Sequence, residues 1–266
     1  MRHVPIDSLL RTIFDDPEGK KDKRSLDRAN RTVSGKPAAD RKAYIDKNGA
    51  AKWKPLKDRI TAELGNKCWY TEAEVVGAHL AIDHYRPKCD YWFLAFKPEN
   101  YRVACPFANS PMHNEEHGCA GGKGEKFPLL DESKRAADIQ SVGHERPIIL
   151  DPCNEEDCKL LVFQSDGRPR LHPDFEDDAA AVLRVNESKL LLNLDHPDFN
   201  SKREILKQEI ADAILDHEAF AEDSPRREEK RKWLSDRISL AAPFSMAARQ
   251  YLSDYRYLKW VAEILG

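Results

Sequence analysis

The sequence predicts an α+β protein: a strand–loop–strand–helix core in mid-chain, flanking strands after it, and a largely helical C-terminal region. Three observations predict this. Residues 78–109 read as an apolar strand, a loop and a second strand, Tyr101 to Cys105, with a helix start near Asn109 because Pro111 suits a first turn. Residues 127–175 carry short apolar runs separated by turn residues. Residues 176–266 keep apolar positions at about the 3.6-residue helical period.

Taken in order, residues 1–15 are expected to form a short helix. Leu9, Leu10, Ile13 and Phe14 share one face, and Asp7 or Ser8 would cap it. Residues 16–48 are polar and rich in Lys, Arg and Asp, which predicts a segment that is mobile or ordered only by a partner. Trp53, Leu56, Ile60 and Leu64 recur at helical spacing, with Gly65-Asn66 as the stop. This helix should pack onto the central core. After the core, Arg146 to Pro152 and Leu160 to Phe163 are apolar runs, and Asp166-Gly167 is a hairpin signal. In the helical region, Ala179 to Leu192, then Ile205, Ile210 and Ile214, then Trp233, Ile238 and Leu240, then Tyr251, Tyr255, Leu258, Val261 and Ile264 mark the apolar faces. The charged block Arg226 to Lys232 reads as a solvated helix face. The expected divisions are a basic, partly mobile arm over 1–48, a core over 49–135, a strand and turn region over 136–175, and a helical region over 176–266.

The 266 residues suffice for one large domain or two small ones. Apolar residues make up 41% and charged residues 33%, with a mean hydropathy of −0.69, which suits a real core under a charged surface. No run of about 18 apolar residues is present, so no membrane span is expected. The first residues lack the apolar stretch of a signal peptide, which predicts a cytoplasmic location. The net charge of −3 hides an asymmetry: residues 1–60 hold 16 Lys and Arg against 9 Asp and Glu. Such a basic segment suits either a phosphate backbone or a solvated arm. Six cysteines without a CxxC pair point to free thiols or metal ligands rather than a disulfide frame. The Gly-rich stretch Gly118 to Lys126 lacks the Walker pattern, so it is not read as a nucleotide phosphate loop.

The chemistry concentrates at Asp83-His84-Tyr85-Arg86-Pro87-Lys88, followed by Asn100 and Asn109. Phosphodiester hydrolysis needs a base for water and a divalent cation for the charge on phosphate and leaving oxygen. Histidine suits the first task near neutral pH, and Asp and Asn oxygens suit a hard cation such as Mg²⁺ or Mn²⁺. His84 is thus the candidate general base. Asp83, on the opposite face of the strand, and Asn109 are the candidate metal ligands. Asn100 would hydrogen-bond the backbone and hold the His-bearing strand. Arg86 and Lys88 would either bind substrate phosphate or pair with carboxylates.

Asp83-His84, Asn100 and Asn109 resemble the HNH (ββα-metal) nuclease motif, in the variant with Asn at the second and third positions. Within that group the chain is most similar to the HNH subunits (PtuB) of Septu anti-phage systems and their retron-associated relatives. The similarity runs through His84-Tyr85-Arg86-Pro87-Lys88, Tyr91-Trp92, Asn100 to Cys105, Phe127-Pro128-Leu129, Ile149-Leu150-Asp151-Pro152 and Pro243 to Arg249. It implies an α+β fold with a ββα-metal (HNH) core and endonuclease activity on DNA or tRNA. It also implies a partner ATPase of the ABC/SMC-like class (PtuA), and a retron reverse transcriptase with its DNA–RNA product in some systems. Many relatives hold a structural zinc with two Cys-x-x-Cys pairs. Here Cys68 is followed by Thr71 and Cys105 by Ala108, so both second cysteines are missing and no such zinc is expected. Cys68 and Cys105 would pack as small apolar residues, with His113, His117 and Cys119 as substitute ligands otherwise. Two other readings stay open: a non-catalytic nucleic-acid-binding module of the HNH fold, and a stand-alone HNH nuclease.

Overall fold

In the computed structural model, which describes residues 1–75, 77 and 79–266, four helices lead the chain: α1 (Ile6–Ile13), α2 (Pro17–Ser34), α3 (Ala38–Asn48) and α4 (Ala50–Leu64). The first matches its apolar spacing, with Leu9, Leu10 and Ile13 buried. Neither Asp7 nor Ser8 caps it; Pro5 stands at its N-cap without a side-chain bond.

The polar stretch 16–48 is helical rather than loose. Asp16 caps α2 by accepting the Gly19 N–H at 2.8 Å, and Pro17 occupies the first turn, where its missing N–H is harmless. Arg59 of α4 returns to the same carboxylate at 2.6 and 3.2 Å. Only a narrow stripe anchors this helix: Leu26, Ala29 and Val33 are buried, spaced three and four residues apart. Packing of this stripe against α4 supplies what the average composition does not. Leu26→Ala is expected to cost about 2–5 kcal/mol, read as a lowered urea midpoint. A loss near zero would detach the segment from the core.

α3 and α4 are nearly continuous across Gly49. A Cβ there would lie 2.0 Å from the Trp53 ring, so only glycine lets that indole fold back over the joint. Trp53 is thereby directed at the central strands. Gly65, with φ +78°, ends α4 as its position predicts.

The centre holds β1 (Ala81–His84) and β2 (Tyr101–Ala104), an antiparallel pair in which Asp83 faces Arg102 and His84 faces Tyr101. The strand expected from residue 78 begins at Ala81; Ala78 lies outside the described residues. Trp69 adds one bond to the pair, its N–H reaching the Val103 carbonyl at 2.8 Å. α5 (Pro106–Asn109) follows β2 at once. Here the sequence reading needs correction: Asn109 ends this one-turn helix and does not begin a longer one. Pro106 starts the turn, and Pro111 forces its predecessor Ser110 into an extended conformation (φ −116°, ψ 155°). A small ladder of β3 (His113–Asn114) and β4 (Cys119–Ala120) comes next.

The flanking region supplies α6 (Glu155–Lys159), β5 (Leu161–Phe163) and β6 (Pro169–Leu171), the two strands joined through Gly167. The apolar run 146–152 joins no strand; Ile149 and Leu150 are buried beside a single bridge between Leu129 and Pro147, their backbone held by the Tyr85 hydroxyl and by Ser188 Oγ. Five helices close the chain: α7 (Ala179–Leu192), α8 (Pro197–Ala219), α9 (Pro225–Arg237), α10 (Ser245–Ser253) and α11 (Lys259–Leu265). Ile210 and Ile214 face the core as read, whereas Ile205 is 59% exposed. α5 packs on α7, and α10 packs on both β5 and α8. No helix among the described residues is long and apolar enough to cross a membrane.

Glu72 ties the two halves together. Its backbone has φ +59°, uncommon without glycine, and its carbonyl accepts the N–H of Phe244 (φ +52°) at 3.0 Å. Its buried carboxylate caps α10 from 173 positions away, accepting from Ser245 Oγ at 2.9 Å and the Met246 N–H at 3.1 Å.

Candidate active site

β1 alternates, so its last two residues look in opposite directions. His84 turns toward α4. Its ring lies 4.7 Å from Trp53 and 5.0 Å from Tyr101, edge to face with both. Nε2 is 2.9 Å from the Ala95 carbonyl, which also receives the Tyr101 hydroxyl at 2.9 Å. A carbonyl only accepts, so Nε2 carries the proton and Nδ1 is the basic nitrogen. Burial drives the His84 pKa down to about 4, against the opposing pull of the Ala95 carbonyl and Asp83. The ring is therefore neutral at neutral pH, the form a general base must have.

Asn100 acts on the backbone. Its Oδ1 accepts the Arg86 N–H and its Nδ2 donates to the Arg86 carbonyl, both at 2.9 Å. Its own carbonyl accepts the Tyr85 N–H at 2.8 Å. Three bonds from one buried residue extend the β1–β2 ladder past His84 and fix where β1 ends.

Asp83 looks the other way. The Tyr70 hydroxyl donates to one carboxylate oxygen at 2.6 Å, and the Lys123 ammonium lies 3.0 Å from the other. The Tyr70 phenol is held well above its usual range by burial and by the Asp83 charge. Asn109, at the end of α5, has a buried Oδ1 with no hydrogen-bond partner among the described residues. Asn30 and Asn193 carry such an oxygen too, so this one is compatible with a donor or a cation without selecting between them. Asp83 and Asn109 thus offer the hard oxygens that Mg²⁺ or Mn²⁺ takes. Among the described residues no three His, Cys, Asp or Glu side chains converge on a metal-sized site.

No protein-family model matches the chain. Over 208 residues, 72% of this chain and 67% of the relative, it is 23% identical to Septu protein PtuB of Bacillus mycoides (strain KBAB4). The chain is distantly related to that Septu protein. The aligned share includes most of the molecule, so the likeness is not confined to the short Asp83–Lys88 block.

The basic residues of that block are engaged. Arg86 Nε donates to the buried Glu145 at 2.6 Å, a carboxylate that also accepts from Tyr91 and from the Ala136 N–H. Lys88 pairs with Asp46 of α3 at 2.9 Å. Of the two sequence readings for these cations, the structure displays carboxylate pairing. Arg86 is a part of the framework, while Lys88 stays 29% exposed at the rim.

Cys68 and Cys105 are fully buried, and the Thr71 hydroxyl sits 4.0 Å from Cys105 Sγ. The hydrogen bond to Cys68, then burial, pushes the Cys105 thiol up and keeps it protonated. His117 binds the buried Asp195 carboxylate at 2.8 and 3.0 Å, while His113 and Cys119 are exposed.

Three site residues escaped the sequence reading: Trp53, Tyr70 and Lys123. Trp53 was read as helix packing, and its second contact with His84 depends on the Gly49 joint. Lys123 lies in the stretch dismissed as a failed phosphate loop. The Gly-Gly-Lys-Gly pattern was the available signal, since it marks backbone lying close to another segment. Lys123 N–H and Gly124 N–H bond the Ala108 and Asn109 carbonyls at 2.8 and 3.1 Å.

Proposed function

We propose that the chain is a metal-dependent HNH-type endonuclease and the effector subunit of an anti-phage defence system, acting with an ABC/SMC-like ATPase of the PtuA class. The observation that carries this is the seat of His84 at the end of β1: Nε2–H pinned to the Ala95 carbonyl, Nδ1 not engaged by it, and Asp83 next in the chain. The unpaired Oδ1 of Asn109 and the distant likeness to a Septu protein support the same reading.

In the reaction, His84 Nδ1 takes the proton of a water as its oxygen bonds to phosphorus. The bond from phosphorus to the leaving oxygen breaks, and that oxygen is protonated from solvent. Asp83 and Asn109 would hold a divalent cation, which supplies Lewis-acid stabilisation of the charge on the phosphate and leaving oxygen when bound. Asn100 keeps the turn after His84 in register. Trp53 and Tyr101 clamp the imidazole, so little rotational freedom is lost at the transition state.

The test is cleavage of plasmid DNA and of total tRNA with Mg²⁺ or Mn²⁺, with and without an ATPase of the PtuA class. Cleavage is expected to need the metal and to fall by about 10²-fold in Asn109→Ala, the scale of losing one preorganised charge-stabilising contact. Full activity of that variant at the same metal concentration would remove Asn109 as a ligand. Cleavage undiminished in EDTA would sink the metal reading.

A further inference from the structure

Lys123 is completely buried, yet among the described residues its ammonium has a single carboxylate for company. Nζ lies 3.0 Å from Asp83 Oδ1, 2.8 Å from the His84 carbonyl and 3.4 Å from the Gly124 carbonyl. Three oxygens around one buried positive charge is an arrangement a hard cation would also accept. The one charged member of the set is Asp83, the candidate metal ligand. The lysine backbone is bonded to α5 at Ala108, next to Asn109 with its unpaired Oδ1. Thus one segment supplies both a cation and its path to the site.

A buried ammonium is costly to leave unpaired, so Lys123 stays on Asp83 as long as nothing better occupies that carboxylate. A divalent ion on the same oxygen would meet an ammonium at contact distance, and like charges so close in a dry site repel strongly. Both cannot hold Asp83 Oδ1 together. The lysine stem is long and unbranched, so the ammonium can be moved by rotation about side-chain bonds; because the side chain is fully buried, its packed neighbours must shift with it.

We infer that Lys123 is a built-in counter-ion for Asp83, seated when the site lacks a divalent metal and exchanged for that metal on binding. The inference rests on the nuclease reading for the identity of the metal site, and it makes Lys123 a positioning residue that sets the metal concentration at which the site fills. The fraction of molecules with Lys123 seated lowers the apparent metal affinity in proportion.

Two measurements on the full chain, freed of nucleic acid, test it. In the first, free Mn²⁺ is followed by electron paramagnetic resonance during titration of wild type and Lys123→Met, which keeps the stem and removes the charge. The variant is expected to bind Mn²⁺ about tenfold tighter or more, and Asp83→Asn in the same background should abolish that binding. Affinity equal to or weaker than wild type, or no binding in either protein, overturns the exchange. The second measurement uses wild type alone and so survives a variant that fails to fold. Lysines are reductively methylated and mapped by mass spectrometry with and without Mg²⁺. Lys123 should be protected without metal and labelled several-fold more with it; equal labelling overturns the proposal. Neither readout requires cleavage. A wild type that cleaves while both lysine readouts are flat refutes the exchange alone, and positive lysine readouts without cleavage by any combination refute the nuclease alone.

Discussion

His84→Gln is expected to lower nucleic-acid cleavage by about 10²–10⁴-fold, the contribution of a positioned general base. Glutamine is the sharper probe than alanine. The His84 ring fills a slot between Trp53 and Tyr101, so His84→Ala removes packing as well as the base. The glutamine amide can still donate to the Ala95 carbonyl but has no basic nitrogen to accept a proton. The two variants should therefore share the loss of cleavage, while alanine shows the larger fall in melting temperature. Association with an ATPase of the proposed PtuA class should be unchanged in both, because the ring is buried away from the surface. Cleavage by the glutamine variant within about threefold of wild type would remove His84 as the base. The rate is read on whichever of plasmid or tRNA the wild type cuts.

Glu72→Gln is expected to be among the most destabilising single changes in the chain, at about 3–5 kcal/mol for breaking a buried charge pair. The carboxylate is 3.6 Å from the buried Lys67 ammonium and 3.3 Å from the Met1 amino group. It also accepts the two donors at the start of α10. Glutamine leaves those positive charges without their carboxylate, Lys67 keeping only the Ala242 carbonyl and Ser245 Oγ. Burial opposes ionisation of Glu72, but the Met1 amino group and Lys67 outweigh it and bring the pKa down from 4.5 to about 2. The sign follows directly. A carboxylate with a depressed folded-state pKa stabilises above its unfolded value, and that stabilisation disappears as pH falls from about 4.5 toward 2. Wild type and Glu72→Gln should thus differ most near neutrality in urea denaturation and converge as pH approaches 2. A constant gap across that range, or one under about 1 kcal/mol at pH 7, would show that the cap and the ion pairs contribute little.

How far the site could be read depended on the range of each interaction. α1 and α4 were visible because their apolar residues repeat every three to four positions. The Asp83-His84 end of β1 was visible because a strand imposes a two-residue alternation, and Asn100 because it stands immediately before the second apolar strand. α2 was missed because three apolar residues, Leu26, Ala29 and Val33, anchor 18 positions, and a composition average cannot see so narrow a stripe. The end of α5 at Asn109 was misread although the signal was local. Pro111 was taken as a start, whereas its effect on Ser110 makes it a stop.

By itself, then, the sequence determined the α+β class, which follows from periodicity, and it named His84, Asp83 and Asn109 as candidates and Asn100 as a backbone clamp from residue chemistry and motif order. Only the tertiary structure decided the protonation state of His84, the pairing of Arg86 with Glu145, the cap that Glu72 places on α10 and the seat of Lys123 on Asp83. Those depend on burial and on charges brought together from 40 to more than 170 positions away. The spacing of residues along a chain carries local backbone geometry, but the energy of a charge depends on what surrounds it, and that is set when the segments pack.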